Sequence, residues 1–126
     1  MAKPKTYPLD GYKNCGLTIQ ARVELPNAAY ITQAALTSAN CKVENAAGTE
    51  TYDAALTIAN VVFDTLQNDS RWDRDSTGRN FLFEVPATAF SATGHHRVEV
   101  QFTPVAGEVF VVVWEGPIRS RMTHAD

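Results

Sequence analysis

The sequence predicts an all-β protein, an antiparallel β-sandwich of about seven strands, on three observations. Short segments alternate apolar and polar residues, which is the pattern of half-buried strands. Turn residues interrupt these segments about every ten positions. No segment carries the apolar period of a helix longer than a turn or two. Two packed sheets explain this combination best, and a small closed barrel is the alternative.

The first half of the chain contains two clear strands. Residues 16–25, "GLTIQARVEL", place apolar side chains on one face and polar side chains on the other, and Pro26 ends the segment. Residues 35–45, "ALTSANCKVEN", alternate in the same way. In residues 52–66 the apolar triplet 61–63 fits either a strand or the start of a helical turn. Its bulky and β-branched residues favour a strand.

The second half adds three more strands. Residues 80–86, "NFLFEVP", form one that Pro86 ends, and residues 86–96 connect it to the next with room for one helical turn. Residues 96–104, "HRVEVQFTP", alternate again, and Ala106-Gly107 predicts a tight hairpin. The last segment, "EVFVVVWEGP", is apolar on both faces, so we predict a central strand that is covered on both sides.

The length of the chain limits the number of domains, and its charge limits the classes of partner that it can bind. The 126 residues fit one domain, divided into an N-terminal arm (1–14), the sandwich (15–118) and a polar C-terminal tail (119–126). A net charge of −3 without a basic cluster argues against nucleic-acid binding. The longest apolar run is too short to cross a bilayer, and no apolar run follows the N-terminal lysines. We therefore expect no membrane partner and no signal peptide.

Residues 73–84, "DRDSTGRNFLFE", have the spacing of a calcium-binding EF-hand loop. The flanking sequence argues against that function, because the loop runs into a strand instead of a helix. Glu84 lies on this strand and cannot easily turn back as a ligand. We predict a connecting turn in which Asp side chains bond the backbone and Gly78 takes a positive φ. We therefore predict that the chain binds no metal. The alternative is a calcium ion held by Asp69, Asp73 and Asp75.

Catalytic and cofactor motifs are absent from the sequence, so we predict neither an enzyme nor a bound cofactor. His95 and His96 are adjacent on a strand and should point to opposite faces, which prevents them from chelating one metal. Cys15 and Cys41 are expected to be free thiols.

Four aromatic side chains look exposed in the sequence, Tyr7, Tyr12, Tyr30 and Trp72. Such residues more often cover the core as packing lids than form binding sites, but they are also what a protein interface would use. Of the four, Tyr7, Tyr12 and Trp72 are the predicted interaction residues. The polar N-terminal arm is likewise predicted to serve as a contact and to be dispensable for folding.

Residues 15–117 resemble a known group of proteins. The segments concerned are "NVVFDTLQNDSRWDRDSTGRNFLFEVPATAF" and "HHRVEVQFTPVAGEVFVVVWEGP". They resemble small phage-associated immunoglobulin-like proteins and are similar to the N-terminal domain of phage baseplate upper proteins. The resemblance is carried by Trp72, Asp75, Gly78, Asn80, Phe81 and the hairpin 102–110. The chain departs from this group at Arg79, where its members commonly carry an aromatic residue.

This resemblance implies an immunoglobulin-like sandwich with a structural or assembly role and no catalytic residues. We therefore expect a docking module of a phage or phage-derived particle, in its tail, baseplate or virion surface. Its expected partners are other virion or tail structural proteins and further copies of itself, as a homo-oligomer within an assembly. Its expected location is the virion or the host cytoplasm. The alternative function is a stand-alone carbohydrate- or ligand-binding sandwich whose site comprises Trp72 and the acidic loop.

Overall fold

The computed structural model of the chain describes residues 5–120. The elements run in the order β1 (Lys5–Pro8), β2 (Gly11–Tyr12), β3 (Leu17–Ala21), β4 (Leu36–Glu44), β5 (Glu50–Leu56), α1 (Ile58–Val61), β6 (Val62–Gln67), β7 (Arg79–Val85), a 3₁₀ turn (Ala87–Phe90), β8 (Gly94–Pro104) and β9 (Phe110–Arg119). The predicted all-β sandwich is confirmed. Within residues 5–120, no helix has the length and apolar character needed to cross a membrane.

The strands form two sheets of unequal width. The larger sheet has the order β1-β9-β8-β4-β5, with β2 also paired to β9, and the smaller sheet has the order β3-β7-β6. Their facing side chains form the core, in which the Phe81 ring meets Phe102 edge-on at 5.4 Å and Trp114 at 5.7 Å between ring centroids. Because the larger sheet is wider, its edge extends beyond the smaller one.

The alternating segments form strands as predicted, although their ends differ. β3 stops at Ala21, four residues before the predicted end, but Val23 continues the buried face. The side chain of Asn80 takes over the pairing there: its Oδ1 accepts from the Val23 N–H at 2.7 Å and its Nδ2 donates to the Val23 carbonyl at 2.9 Å. The apolar triplet 61–63, which fitted either a strand or a helical turn, is shared between the two. Val61 is the last residue of α1, and Val62 is the first residue of β6.

β9 occupies the predicted central position, between β1 and β8. Its side chains alternate between the two faces of the sheet, with Val112 and Trp114 in the core and Val113 buried on the opposite face. The strand is therefore covered on both sides in its middle. This explains why its sequence is apolar without alternation.

The predicted N-terminal arm is wrong for residues 5–12. β1 and β2 both pair with β9 and run parallel to it, so the larger sheet is mixed and the sandwich begins at Lys5 instead of residue 15. Between them, Leu9 is 3% exposed and belongs to the core. At the other end β9 includes Arg119, one residue beyond the predicted boundary. The remaining arm and tail, residues 1–4 and 121–126, lie outside the described residues.

The predictions for the histidines and cysteines are confirmed. His95 is exposed, whereas the neighbouring His96 is fully buried against Phe90. Cys15 and Cys41 are free thiols. Burial raises the pKa of the Cys41 thiol to about 12, so this group stays protonated in the core.

Candidate protein-binding groove

The loop between β6 and β7 is organised around the carboxylate of Asp75. Its Oδ1 accepts hydrogen bonds from the Trp72 indole at 2.9 Å and from the backbone N–H groups of Thr77 and Gly78 at 2.9 and 3.2 Å. Its Oδ2 lies 2.9 Å from the guanidinium of Arg22 on the chain after β3. Asp75 therefore fixes the loop internally, as expected for an Asp-based turn.

Trp72 is buried, as in a packing lid, and does not present the exposed ring that a protein contact would need. Only 6% of the residue is accessible, and its single N–H is used by Asp75. The alternative function placed a bound sugar or ligand against Trp72 and this acidic loop. In the structure those groups hydrogen-bond each other, so the site proposed for that function is already occupied by the protein's own contacts.

A second ion pair anchors the same loop and was not foreseen from the sequence. Arg79 is 1% exposed, and its two terminal nitrogens donate to the two carboxylate oxygens of Asp69, both at 2.9 Å. An arginine at the start of a strand gives no sequence signal for burial, because its partner lies in an irregular loop. A buried guanidinium requires such a paired, bidentate carboxylate.

The turn prediction for the calcium-like loop is confirmed in its details. Gly78 has φ +104°, and a Cβ at this position would lie 2.8 Å from the backbone of Gln67. Glu84 lies on β7 and is exposed. Asp69 and Asp75 hydrogen-bond to Arg79 and Trp72 respectively, instead of facing a common centre. Among residues 5–120, no three His, Cys, Asp or Glu side chains are placed to hold a metal ion.

Calcium should therefore leave the stability of the protein unchanged. A ligand raises the melting temperature only if it binds the folded state more tightly than the unfolded state. We expect the same melting temperature in millimolar calcium and in chelator. A rise of several degrees in calcium, reversed by chelator and lost in Asp73→Asn, would contradict this prediction.

Stability should fall in acid because of the two loop carboxylates. Hydrogen bonds from Arg79 and Arg71 hold the pKa of Asp69 well below its usual range, and those from Trp72, Gly78, Thr77 and Arg22 do the same for the pKa of Asp75. A carboxyl group with a lowered folded-state pKa contributes stability that is complete above its unfolded pKa, about 3.9, and that is lost as the pH falls towards the folded pKa.

The urea midpoint should accordingly be steady above about pH 5 and fall progressively from about pH 5 to pH 2. Asp75→Asn should make this decline shallower, whereas Asp73→Asn, at an exposed neighbouring position, should leave it unchanged. Equal acid sensitivity in the wild type and in Asp75→Asn would show that this carboxylate is not coupled to folding.

The two predicted tyrosine contacts differ in their surroundings. Tyr7 is half-buried and stacks on Trp114 at 5.7 Å between ring centroids. The guanidinium of Arg74 lies 4.4 Å from the Tyr7 ring centroid and 5.3 Å from that of Trp72, which links the two aromatics. Tyr12 lies apart on β2 and is 49% exposed, so it is the one predicted contact residue that offers a large exposed ring.

A groove of about 350 Å³ lies between β5, α1 and β7 and was not foreseen from the sequence. Tyr52 and Leu56 come from β5, Val61 from α1, and Phe83 from β7, which makes the lining largely apolar. Glu84 lies at its rim. The groove opens on the side of the sandwich where the larger sheet extends beyond the smaller one.

The unequal width of the sheets explains why this groove is uncovered. Three residues of β5 pair in register with β4 residues that are fully or almost fully buried. The pairs are Tyr52 with Val43, Ala54 with Cys41, and Leu56 with Ala39. The three β5 residues thus belong to the core-facing side of the sheet, yet all three are only half-buried. β6 diverges from β7 between its two pairing positions and does not extend over β5.

β5 also presents an open sheet edge, and it is the longest edge strand among residues 5–120. It pairs only with β4, so every second residue has backbone N–H and C=O groups without a strand partner. The edge at β6 is capped instead: the Gln33 side chain donates to the Val62 carbonyl at 2.9 Å and the Gln33 N–H donates to Asp64 at 2.7 Å. At β3 the Trp114 indole donates to the Gln20 carbonyl at 3.3 Å.

Compared with protein-family models, curated proteins and solved structures, the chain shows no match. No family is assigned.

Proposed function

We propose that this protein is a non-enzymatic structural and assembly protein of a phage or phage-derived particle, acting as a protein–protein docking module. The observation that best supports docking is the open edge of β5 above an uncovered apolar groove. A sheet edge of this kind binds an extended segment of another protein through main-chain hydrogen bonds, while pockets beside it receive alternate side chains.

The surroundings of the reactive side chains support a non-enzymatic function. Cys41 is in the core with a pKa of about 12, far from the reactive thiolate form. His96 is buried, and its Nδ1 is 2.9 Å from the Gly94 carbonyl. His95 lies on the outer face, 4.0 Å from Glu115. These groups lie in separate environments and cannot act on one substrate together.

The particle assignment is supported by the sequence resemblance of residues 15–117 to phage-associated immunoglobulin-like proteins. Subunits of a particle must each hold a neighbour, and contacts between different surfaces propagate an assembly without two-fold pairing. The partners proposed are other virion or tail structural proteins, with several copies of this chain in the assembly. Tyr12, exposed on β2, is available for a second contact.

The test is whether the protein is a component of particles. Particles purified by density gradient should contain this chain at a constant ratio to the other structural proteins across the particle peak, measured by quantitative mass spectrometry. An unrelated protein expressed at the same level serves as the control for trapping. If the chain remains at the top of the gradient, the particle role is wrong. Turnover by the isolated protein of any substrate would refute the non-enzymatic class.

A further inference from the structure

We infer that the β5 edge and its groove receive an extended, cationic segment of a different protein, in which apolar and basic residues alternate. The segment adds to β5 as a further strand of the larger sheet. This inference rests on the proposed docking function and specifies the chemistry of the partner.

The apolar half of the pattern follows from the geometry of the groove. In an added strand, successive side chains point to opposite faces of the sheet. Those on the inner face enter the space between Tyr52 and Leu56 of β5 and Phe83 of β7, which is the groove. The volume of about 350 Å³ accommodates aliphatic side chains, and filling it would complete the burial of the half-exposed inner face of β5.

The basic half follows from the charges around the edge. Glu50 and Asp53 lie on β5, and Glu84 lies across the groove; all three are exposed. Glu84 makes no ion pair within residues 5–120, and the Asp53 carboxylate accepts a hydrogen bond only from the neutral Asn40 amide, at 2.8 Å. One cation lies beside these groups on the same sheet: Lys42 pairs with Glu50 at 4.0 Å and is the register partner of Asp53. The three carboxylates therefore outnumber the lysine. Among the described residues, no lysine or arginine lines the groove. The rim is thus acidic and attracts a cationic segment.

The same charges argue against a second copy of this chain as the occupant. Asp53 is the middle residue of β5, so two copies pairing antiparallel about this point would place their Asp53 carboxylates directly opposite each other. Like charges at opposed positions destabilise strand pairing, and charged residues on edge strands are a known protection against self-association. The occupant is therefore a protein of opposite charge.

A synthetic peptide tests the edge directly. The probe is an acetylated seven-residue peptide of alternating valine and lysine, which matches the seven residues of β5, and the control replaces each lysine by glutamate. Added to the ¹⁵N-labelled full chain, the lysine peptide should shift the amide resonances of residues 50–61 and 82–84. Its affinity should fall at high salt, because exposed charges are screened. The glutamate peptide should bind at least tenfold more weakly.

Charge reversal provides the matched variants. Asp53→Lys with Glu84→Lys should weaken binding of the lysine peptide at least tenfold and should restore binding of the glutamate peptide. Glu24→Lys with Glu108→Lys makes the same change in net charge at exposed positions outside the groove and should alter neither affinity. Folding of all variants is checked by their melting temperatures.

Three results would overturn this inference. One is resonance shifts elsewhere than at residues 50–61 and 82–84; another is equal affinity for the two peptides. The third is a dimer of the free chain with its interface at β5, which would assign the edge to a second copy. Particle incorporation is measured separately: normal incorporation of the Asp53→Lys, Glu84→Lys variant would reject this docking edge while leaving the particle role intact. Absence of the wild type from particles would reject the role itself.

Discussion

Replacing Gly116 by alanine should displace both N-terminal strands and lower the free energy of unfolding by about 3 kcal/mol. A Cβ at this position would overlap the carbonyl oxygen of Leu9 and lie 2.9 Å from its carbonyl carbon. Both atoms belong to the backbone, so no side-chain rotation relieves the overlap. Leu9 would have to leave the core, and its N–H would lose the 2.9 Å hydrogen bond to the Glu115 carbonyl.

Hydrogen exchange and a double-mutant cycle test this expectation. In Gly116→Ala the amides of residues 5–12 should exchange rapidly, whereas those of β4 should stay protected. Deleting residues 1–12 should destabilise the wild type strongly, because it removes β1, β2 and Leu9, but should cost little more in the Gly116→Ala background. Pro117→Ala, at the exposed neighbouring position, is the control and should be close to neutral. Full additivity of the deletion and the glycine substitution would show that Gly116 does not hold these strands.

Val112→Asp should cost about 4 kcal/mol or more, a large part of the roughly 5 to 15 kcal/mol that stabilises a domain. Val112 is 2% exposed in the core, on a strand with neighbours on both sides. A carboxylate there would be buried among apolar side chains, so the chain must protonate the group or unfold. The expected result is a molecule that is largely unfolded near neutral pH.

Gln101→Asp is the matched control on the adjacent strand. Gln101 is exposed and pairs with Asn40 and Val111, so a new carboxylate there stays in water. Its cost should be within about 0.5 kcal/mol. Urea unfolding followed by the fluorescence of the two buried tryptophans, Trp72 and Trp114, measures both variants. Equal midpoints would mean that β9 does not lie in the core as described.

The local alternation of residues was enough to predict most of the strands. The buried faces of β3, β4 and β8 follow directly from period-two patterns, because a strand that buries one face must place an apolar residue at every second position. The continuous apolar sequence of β9 likewise indicated its central place. The positive φ of Gly78 was predictable because a tight Asp-rich turn needs it.

β1 and β2 were missed because their pairing is not local. The sequence "KTYPLDGY" does not alternate, and the segment becomes a strand only by lying parallel to β9, more than one hundred positions later in the chain. Nothing in a short window of sequence encodes such a partner. The burial of Trp72 and Arg79 was missed for the same reason, because each depends on a carboxylate placed by the folded loop.

The sequence by itself determined the all-β class, the faces of the main strands and the turn at residues 73–78. The resemblance to phage-associated proteins also came from it and stays a prediction. The tertiary structure alone decided where the apolar groove lies. The groove exists because the larger sheet, ordered β1-β9-β8-β4-β5, packs against a sheet that has only three strands. As a result, β5 is left at an open edge. Sheet widths and strand order follow from long-range pairing, whereas periodicity reports only which face of each strand is buried.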